Sequence, residues 1–450
     1  MDRPSLLCIS QSFAPETTPT AIRASKLLQR LAATWDVTVL TEADGVEADG
    51  VDGVRVVSVA SRRPRRLLTA IRRARLDKLL DLLVWPDDSI FWALPAIRAG
   101  RRLIREREPA ALVVFMMPYS AGLVGLVLSR LTGVPLVLNL DDSPTCTDMH
   151  PSFPSRLHYL LARRLEDAYA RSSDALIYVS QTNMRGVLAR QPQTRERVHL
   201  VRYGADLGDL RAARPAEDRF EIAYVGAMSG WWTLIQDGSR PSALKRAFRA
   251  WTRLGRFERT TLDQRTSSPV VIGRAIVEAV ERRPDWKGRV ELTIHGNPYP
   301  PELVARAVRD AEVEDVVTVL GPVAHAQVAE ILSRADLLFI TLPKRVDGSP
   351  GGRISAKTYE YLMTDRPILA AVPRGENWDY LADKPGIWLV APDDRERMRE
   401  VIAELAAAKL AGRPAAFDRS ALRERISYDA RAREFEQVIR AAIAGRSARR

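Results

Sequence analysis

Cysteine is nearly absent from this chain of 450 residues: Cys8 and Cys146 stand far apart, and neither belongs to a CxxC pair. That excludes a disulfide-stapled scaffold and a cysteine-based zinc site, and it fits a reducing cytoplasm. Long apolar runs are missing too. No stretch reaches 18 uninterrupted apolar residues, so no membrane-spanning helix is expected. The opening MDRPSLLCISQSFAPE holds one short apolar run, which reads as a first strand rather than a secretory signal. GxSxG and Walker patterns are lacking, which removes the commonest hydrolase and NTPase signatures. Gly (25) and Pro (28) occur at ordinary levels, against collagen-like or wholly disordered chains.

What is present is the composition of a folded protein, 46% hydrophobic and 28% charged, long enough for two or three domains. The 68 Lys and Arg exceed the 56 Asp and Glu by 12. A net charge of that sign attracts anionic partners: nucleic acid, membrane phosphate or a phosphorylated ligand. Part of the surplus is also what an Ala/Arg-rich composition produces by itself.

The first half alternates short apolar runs with helix-length segments. Leu6 to Ser10, Val37 to Thr41, Val54 to Val59, Leu112 to Met116, Leu136 to Leu140, Ala175 to Ser180 and His199 to Tyr203 are near-continuously apolar, as strands buried on both faces must be. A break at 212–218 precedes a second series: FEIAYVG, VELTIHG, VVTVLG, DLLFITL, PILAAV and IWLVAP, again with helical patterns between. Two doubly wound α/β domains are expected, 1–215 and 216–415, followed by a helical segment at 416–450. Ligands of such sheets bind beyond the carboxyl ends of the strands. Gly226 and Gly296 close two of those strands.

Two segments depart from this repeat. Residues 61–75, SRRPRRLLTAIRRAR, hold seven arginines and no acid, and read as a basic amphipathic helix starting near Pro64. Residues 227–268 form an insertion that mixes Trp231, Trp232, Phe248, Trp251 and Phe257 with arginines, with helix expected from about Ser242 to Leu254.

The most informative passage is 350–373, PGGRISAKTYEYLMTDRPILAAVP. Gly351 and Gly352 lead into a helix bearing Arg353, Lys357 and Glu360. Unpaired N–H groups at a helix start, with two cations one turn apart, suit a diphosphate. Glu360 can accept hydrogen bonds from the two ribose hydroxyls. A plain surface helix with a Lys/Glu pair is the competing interpretation.

This passage resembles the donor-site helix of retaining GT-B glycosyltransferases, the family-four group of nucleotide-sugar enzymes, in its bacterial surface-polysaccharide and glycolipid branch. Lys357, then Glu360-Tyr361-Leu362, then Pro367-Ile368-Leu369-Ala370 match that pattern in order and spacing. Residues 10–32, 85–108, 116–142 and 321–342 resemble further segments of the same branch. The resemblance implies two Rossmann-like domains facing a central cleft, with the 416–450 segment crossing back to the first. It implies Glu360 on the ribose, Lys357 on the phosphates, and Arg353, Gly352, Gly351, Gly226 and Gly296 around the donor. Pro19 and Thr20 fall in the first loop and helix, on the acceptor side. Asp142, in the acidic pair that ends a strand, is the catalytic candidate for the acceptor hydroxyl, with His150 as the second.

Many members carry two glutamates separated by seven residues; here Gly352 stands in the place of the first. The implied reaction moves a sugar from a nucleotide diphosphate sugar, acting as co-substrate with no cofactor and no metal, to a hydroxyl acceptor that is polysaccharide, lipid-linked or small. An anionic membrane surface is the expected additional partner, reached from the cytoplasm; nucleic acid is not. Two other readings stay open: a nucleotide-sugar epimerase or hydrolase of the same fold, and a degenerate, non-catalytic scaffold bound to membrane or nucleic acid.

Overall fold

A computed structural model of the chain describes residues 3–16, 18–43, 51–74, 77–146, 148, 152–206, 208, 216–226, 250–251, 254–296 and 299–448. The strands of the two main sheets are β1 Ser5–Ser10, β2 Asp36–Ala43, β3 Val54–Ala60, β4 Ala111–Phe115, β5 Leu136–Leu140, β6 Ala175–Tyr178, β7 Val198–Leu200, β8 Phe220–Val225, β9 Val290–His295, β10 Val317–Val319, β11 Leu337–Thr341, β12 Ile368–Ala371 and β13 Ile387–Val390. The helices are α1 Pro19–Leu31, α2 Arg65–Arg73, α3 Asp77–Leu83, α4 Ile90–Arg107, α5 Ser120–Thr132, α6 Arg156–Ser172, α7 Gln181–Arg190, α8 Pro269–Arg282, α9 Pro301–Asp310, α10 His325–Arg334, α11 Ala356–Leu362, α12 Glu376–Leu381, α13 Arg395–Leu410, α14 Ser420–Ile426 and α15 Tyr428–Ala448.

The chain divides into two compact units. The first comprises Met1–Gly204, Arg249–Arg259 and Ile426–Arg450; the second comprises Ala205–Phe248 and Thr260–Arg425. Part of the 227–268 segment thus groups with the first unit, where Phe257 and Glu258 pair antiparallel with Phe153 and Ser152. The helix expected from Ser242 falls largely outside the described residues, which are helical there at 250–251. Trp231 and Trp232 lie outside them.

In the first unit the sheet is wholly parallel, in the order β3-β2-β1-β4-β5-β6-β7. Strand alternation decides what covers it. Leu6 and Cys8 face a core with Leu27 and Leu28 from α1, Trp35 from the segment before β2, and Phe435 and Ile439 from α15. Leu7 and Ile9 face the opposite core, with Trp92, Leu128 and Tyr169 from α4, α5 and α6. Burial on both faces is why these strands carry so little polarity. Helix starts are marked by their own caps: the Thr18 side chain accepts from Ala21 N ahead of Pro19, and that of Ser180 accepts from Asn183 N.

The second unit repeats the plan with the parallel order β10-β9-β8-β11-β12-β13, in which strand order reverses between β8 and β11. Phe220, Ile222, Leu292 and Ile294 pack with Ile272, Ile276, Val401 and Leu405. A reversal of this kind opens a crevice at the carboxyl ends of the flanking strands. Within the basic segment 61–75 the helix α2 runs Arg65–Arg73, directly after Pro64, and a second helix, α3, follows at Asp77–Leu83. Among the described residues no helix is long and apolar enough to cross a membrane.

Candidate active site

The sequence-derived site residues fall into two sets, one in each unit. In the second unit, β8 ends at Gly226, whose φ of +117° is open to glycine but costly for other residues. Its N–H donates to His295 O at 2.6 Å, which ties the end of β8 to the end of β9. Gly296 follows with φ +95°, and a Cβ there would sit 3.1 Å from the Gly226 Cα. Above them lies Lys357: a Cβ on Gly226 would come within 2.6 Å of its Cε and 2.8 Å of its Nζ. The same ammonium stands 5.1 Å from the centroid of the Tyr224 ring. Gly226, Gly296 and Lys357 are therefore brought together at the crevice, and the two glycines are there to make room. Their own amides are engaged, Gly226 with His295 and Gly296 with Gly321 O at 2.9 Å.

The helix bearing Lys357 is fastened from below. Tyr361, fully buried, accepts a hydrogen bond from Val225 N at 2.9 Å, and the Thr358 hydroxyl donates to Asn377 Oδ1 at 3.0 Å. Burial raises the Tyr361 phenol well above its ordinary value, so it stays neutral. With Thr358 and Tyr361 directed into the protein, Lys357 and Glu360 share the other side, three residues apart and half-buried. Gly351 lies in the preceding loop, but its N–H donates to Arg374 O at 2.8 Å and its carbonyl accepts from Glu376 N at 3.1 Å. That amide is engaged in holding the loop against Gly375, whose Cβ, if present, would meet Gly351 O at 2.2 Å. Gly352 is buried and Arg353 half-buried beside it.

His295, at the end of β9, was not singled out from sequence as a donor residue. Its Nε2 is buried without a hydrogen-bond partner, and burial, helped by Arg334, pushes its pKa down. The imidazole is thus neutral, next to Gly296. The signal available in sequence was its place in VELTIHG, one residue before the glycine.

In the first unit the acidic pair that follows β5 splits into two unlike residues. Asp141 is 2% exposed and accepts from Thr20 Oγ1 (2.9 Å), Tyr203 OH (2.9 Å) and Asn139 Nδ2 (2.8 Å). The fully buried Arg23 places its Nε 3.5 Å from Asp141 Oδ1. Asp142 is the partly exposed member, its carbonyl accepting from Tyr119 OH at 3.2 Å. Of the two α1 residues named on the acceptor side, Pro19 is exposed, whereas Thr20 is buried with its hydroxyl turned to Asp141. His150 lies outside the described residues. Among those described, no group of three or more His, Cys, Asp or Glu is placed to hold a metal ion. Asp87, which burial pushes above the usual carboxylate range, caps α5 by accepting from Ser120 N and Oγ at 3.0 and 2.6 Å.

Cys146 is half-buried, with Arg190 Nη1 at 3.8 Å from its sulfur. Cys8 is buried in β1, which pushes its thiol far above the ordinary value and leaves it inert.

Residues 20–204 match the glycosyl transferase 4-like domain. This glycosyl transferase 4-like region ends with the first stretch of the first unit at Gly204. No curated protein matches the chain. Among solved structures, sucrose-phosphate synthase from Thermosynechococcus elongatus superposes with a TM-score of 0.63 at 16% identity, covering 98% of this chain and 100% of the other. HepE of Anabaena, solved in complex with UDP, gives 0.62 at 14%, covering 97% and 100%. The UDP-forming α,α-trehalose-phosphate synthase of Burkholderia vietnamiensis gives 0.61 at 15%, covering 99% and 98%. The chain carries a glycosyltransferase family domain, and its two Rossmann-like sheets are those of the GT-B fold.

Proposed function

We propose that this protein transfers a sugar from a nucleotide diphosphate sugar to a hydroxyl acceptor, with retention at the anomeric carbon, in the assembly of a surface polysaccharide or glycolipid. The observation that carries the reading is the seating of the Lys357 side chain on Gly226, with Gly296 behind it. It holds a cation at the strand-order reversal of the second unit, where a diphosphate would lie. Glu360, three residues along α11, accepts from the ribose hydroxyls, and Arg353 adds positive charge at the loop. UDP is the nucleotide to try first, because HepE has been solved with UDP and with UDP-glucose.

In this mechanism the bond between the anomeric carbon and the diphosphate breaks as the acceptor oxygen attacks. The negative charge growing on the departing diphosphate meets Lys357 and Arg353, whose interaction with it is strongest in the transition state. Asp142 orients the acceptor hydroxyl and draws on its proton, with His150 as the second candidate. The reading includes no metal and no cofactor beyond the nucleotide sugar. The protein works in the cytoplasm, held at an anionic membrane surface by the arginines of 61–75.

The test is calorimetric titration of the full chain with UDP, UDP-glucose and other nucleotide sugars, followed by mass spectrometry of the products. Glu360→Gln removes a charge-assisted hydrogen bond and should weaken nucleotide binding about tenfold or more; Lys357→Ala should lower both binding and turnover. Parental binding by both variants would remove the donor from this helix. Release of free sugar without an acceptor product would replace transfer by hydrolysis.

A further inference from the structure

The first unit contains an apolar cavity of about 230 Å³ at the carboxyl edge of its sheet. Leu140, the last residue of β5, and Tyr119, beyond β4, form its inner wall; Trp85 and Pro86, from the segment between α3 and α4, and Phe153 close other sides. One face of α6 completes it through His158, Ala162, Leu165 and Tyr169, the spacing of a single helical stripe.

Its polar groups already have partners inside the protein. Asp87 holds Ser120, His158 contacts Ser155 Oγ at 2.8 Å and Leu82 O at 3.2 Å, and Tyr169 OH donates to Tyr119 O at 2.8 Å. Tyr119 OH reaches the Asp142 carbonyl, and Asp81 pairs with Arg256 at 3.1 Å. A ligand entering here finds carbon surface, and a cavity with so few open polar partners favours an apolar guest over water.

The surroundings say how such a guest arrives. Eleven large apolar side chains are exposed among the described residues, and six lie on the three neighbouring segments around this cavity: Leu82, Leu83, Leu157, Leu160, Trp251 and Leu254. Leu82 and Leu83 stand between the lining residues Asp81 and Val84. Lys78 draws the third segment in by donating to the carbonyls of Trp251 and Leu254 at 2.9 and 2.7 Å. An exposed apolar cluster of this kind marks an interaction surface. Arg62, Arg66 and Arg73 are exposed on or beside α2, immediately before α3.

We propose that this cavity takes a stretch of hydrocarbon chain belonging to the acceptor, which is accordingly an amphiphile with an anionic headgroup. The chain enters between the exposed leucines of α3 and α6, the headgroup meets the arginines, and the acceptor hydroxyl is presented beside Asp142, whose backbone is bonded to the cavity wall through Tyr119. At about 30 Å³ for each water-sized group, the cavity has room for about eight carbons. The inference rests on the acceptor-side reading of the first unit and adds the class of acceptor.

The experiment titrates the full chain with n-alkyl phosphates of two to twelve carbons, kept below their micelle concentrations, and with UDP on the same samples. Affinity should rise about fourfold per added methylene and level off near eight carbons. Ala162→Phe, which fills the cavity from α6, should remove at least tenfold of octyl phosphate affinity while UDP binding and the melting curve stay at parental values. Val84→Trp fills it from the other side and reports if Ala162→Phe does not fold. Affinity independent of chain length would overturn the proposal. So would an affinity that climbs through twelve carbons and is untouched by both variants, which is partition onto an apolar surface. Binding of UDP or another nucleotide sugar without alkyl phosphates sinks this inference alone, whereas alkyl binding with no nucleotide sugar bound leaves the cavity standing and sinks the donor reading.

Discussion

The side chain of Lys357 occupies the space that a β-carbon on Gly226 would need, although 131 residues separate the two. The glycine is a condition for the position of the cation. At φ +117° any other residue also carries a backbone penalty of roughly 1–3 kcal/mol.

Gly226→Val should therefore cost nucleotide affinity as well as stability. We expect UDP binding to fall at least tenfold by calorimetry. In the double variant Gly226→Val with Lys357→Ala, the steric share of the stability loss should return while the affinity does not, a non-additivity that direct contact demands. Additive effects on stability would separate the two residues.

The acidic pair should divide by phenotype. Asp141→Ala leaves the buried Arg23 without its carboxylate and strips Thr20, Tyr203 and Asn139 of their acceptor, so thermal melting should report a loss of about 3 kcal/mol or more. Asp142→Asn should leave melting and donor affinity unchanged and slow transfer. A stable Asp141→Ala protein, or an Asp142→Asn protein that turns over at the parental rate, would reverse these assignments.

Arg419 is a buried tie in the second unit. Its guanidinium, 1% exposed, donates to the carbonyls of Thr364, Arg366, Pro385 and Gly386, and burial pushes its pKa down to about 10. Arg419→Met orphans those carbonyls and should lower stability by on the order of 3 kcal/mol. Arg419→Lys should recover only part, because an ammonium cannot span the same fork. Chemical denaturation measures both.

Burial lowers the pKa of His295 and of His199. The unfolded chain then binds protons that the folded chain refuses, so their contribution is present above about pH 6.5 and is lost as pH falls through that value. Melting midpoints should drop between pH 7.5 and 5.5, and His295→Gln should make the drop shallower. Asp87 and Asp336, whose pKa values burial raises, act in the opposite sense as pH climbs from the acid side. An unaltered pH dependence in His295→Gln would return the titration to other groups.

The strands were legible because a parallel sheet covered on both faces leaves a run such as ALIY little room for polar residues, whereas pairings such as β1 with β4 or β8 with β11 join strands that are not consecutive and were not legible. The placing of Lys357 and Glu360 on one side of a short helix was legible through their three-residue spacing. The support of Lys357 was not, since Gly226 and Gly296 arrive from other strands and a glycine in sequence does not say what fills the space beside it. Asp141 and Asp142 illustrate the same limit. Adjacent residues at a strand end point in different directions, and only Thr20, Arg23 and Tyr203, each remote in the chain, decide which carboxylate is enclosed. Thr20 itself, a small residue at a helix start by sequence, turns out to belong to that enclosure.

The chain leaves the first unit after Gly204, comes back to it for Arg249–Arg259, and comes back again from Ile426. A protein cut at residue 204 would lose the partner strand of Phe153 and the whole of α15, uncovering Phe115 where Phe435 now stacks at 5.9 Å. The boundaries of the glycosyl transferase 4-like region are thus not places where the polypeptide can be divided. Exchange of the second unit by recombination would have to swap two separate stretches of gene around a retained middle piece, and a single crossover at residue 204 would set the first unit's sheet against an α15 and a partner strand from another parent.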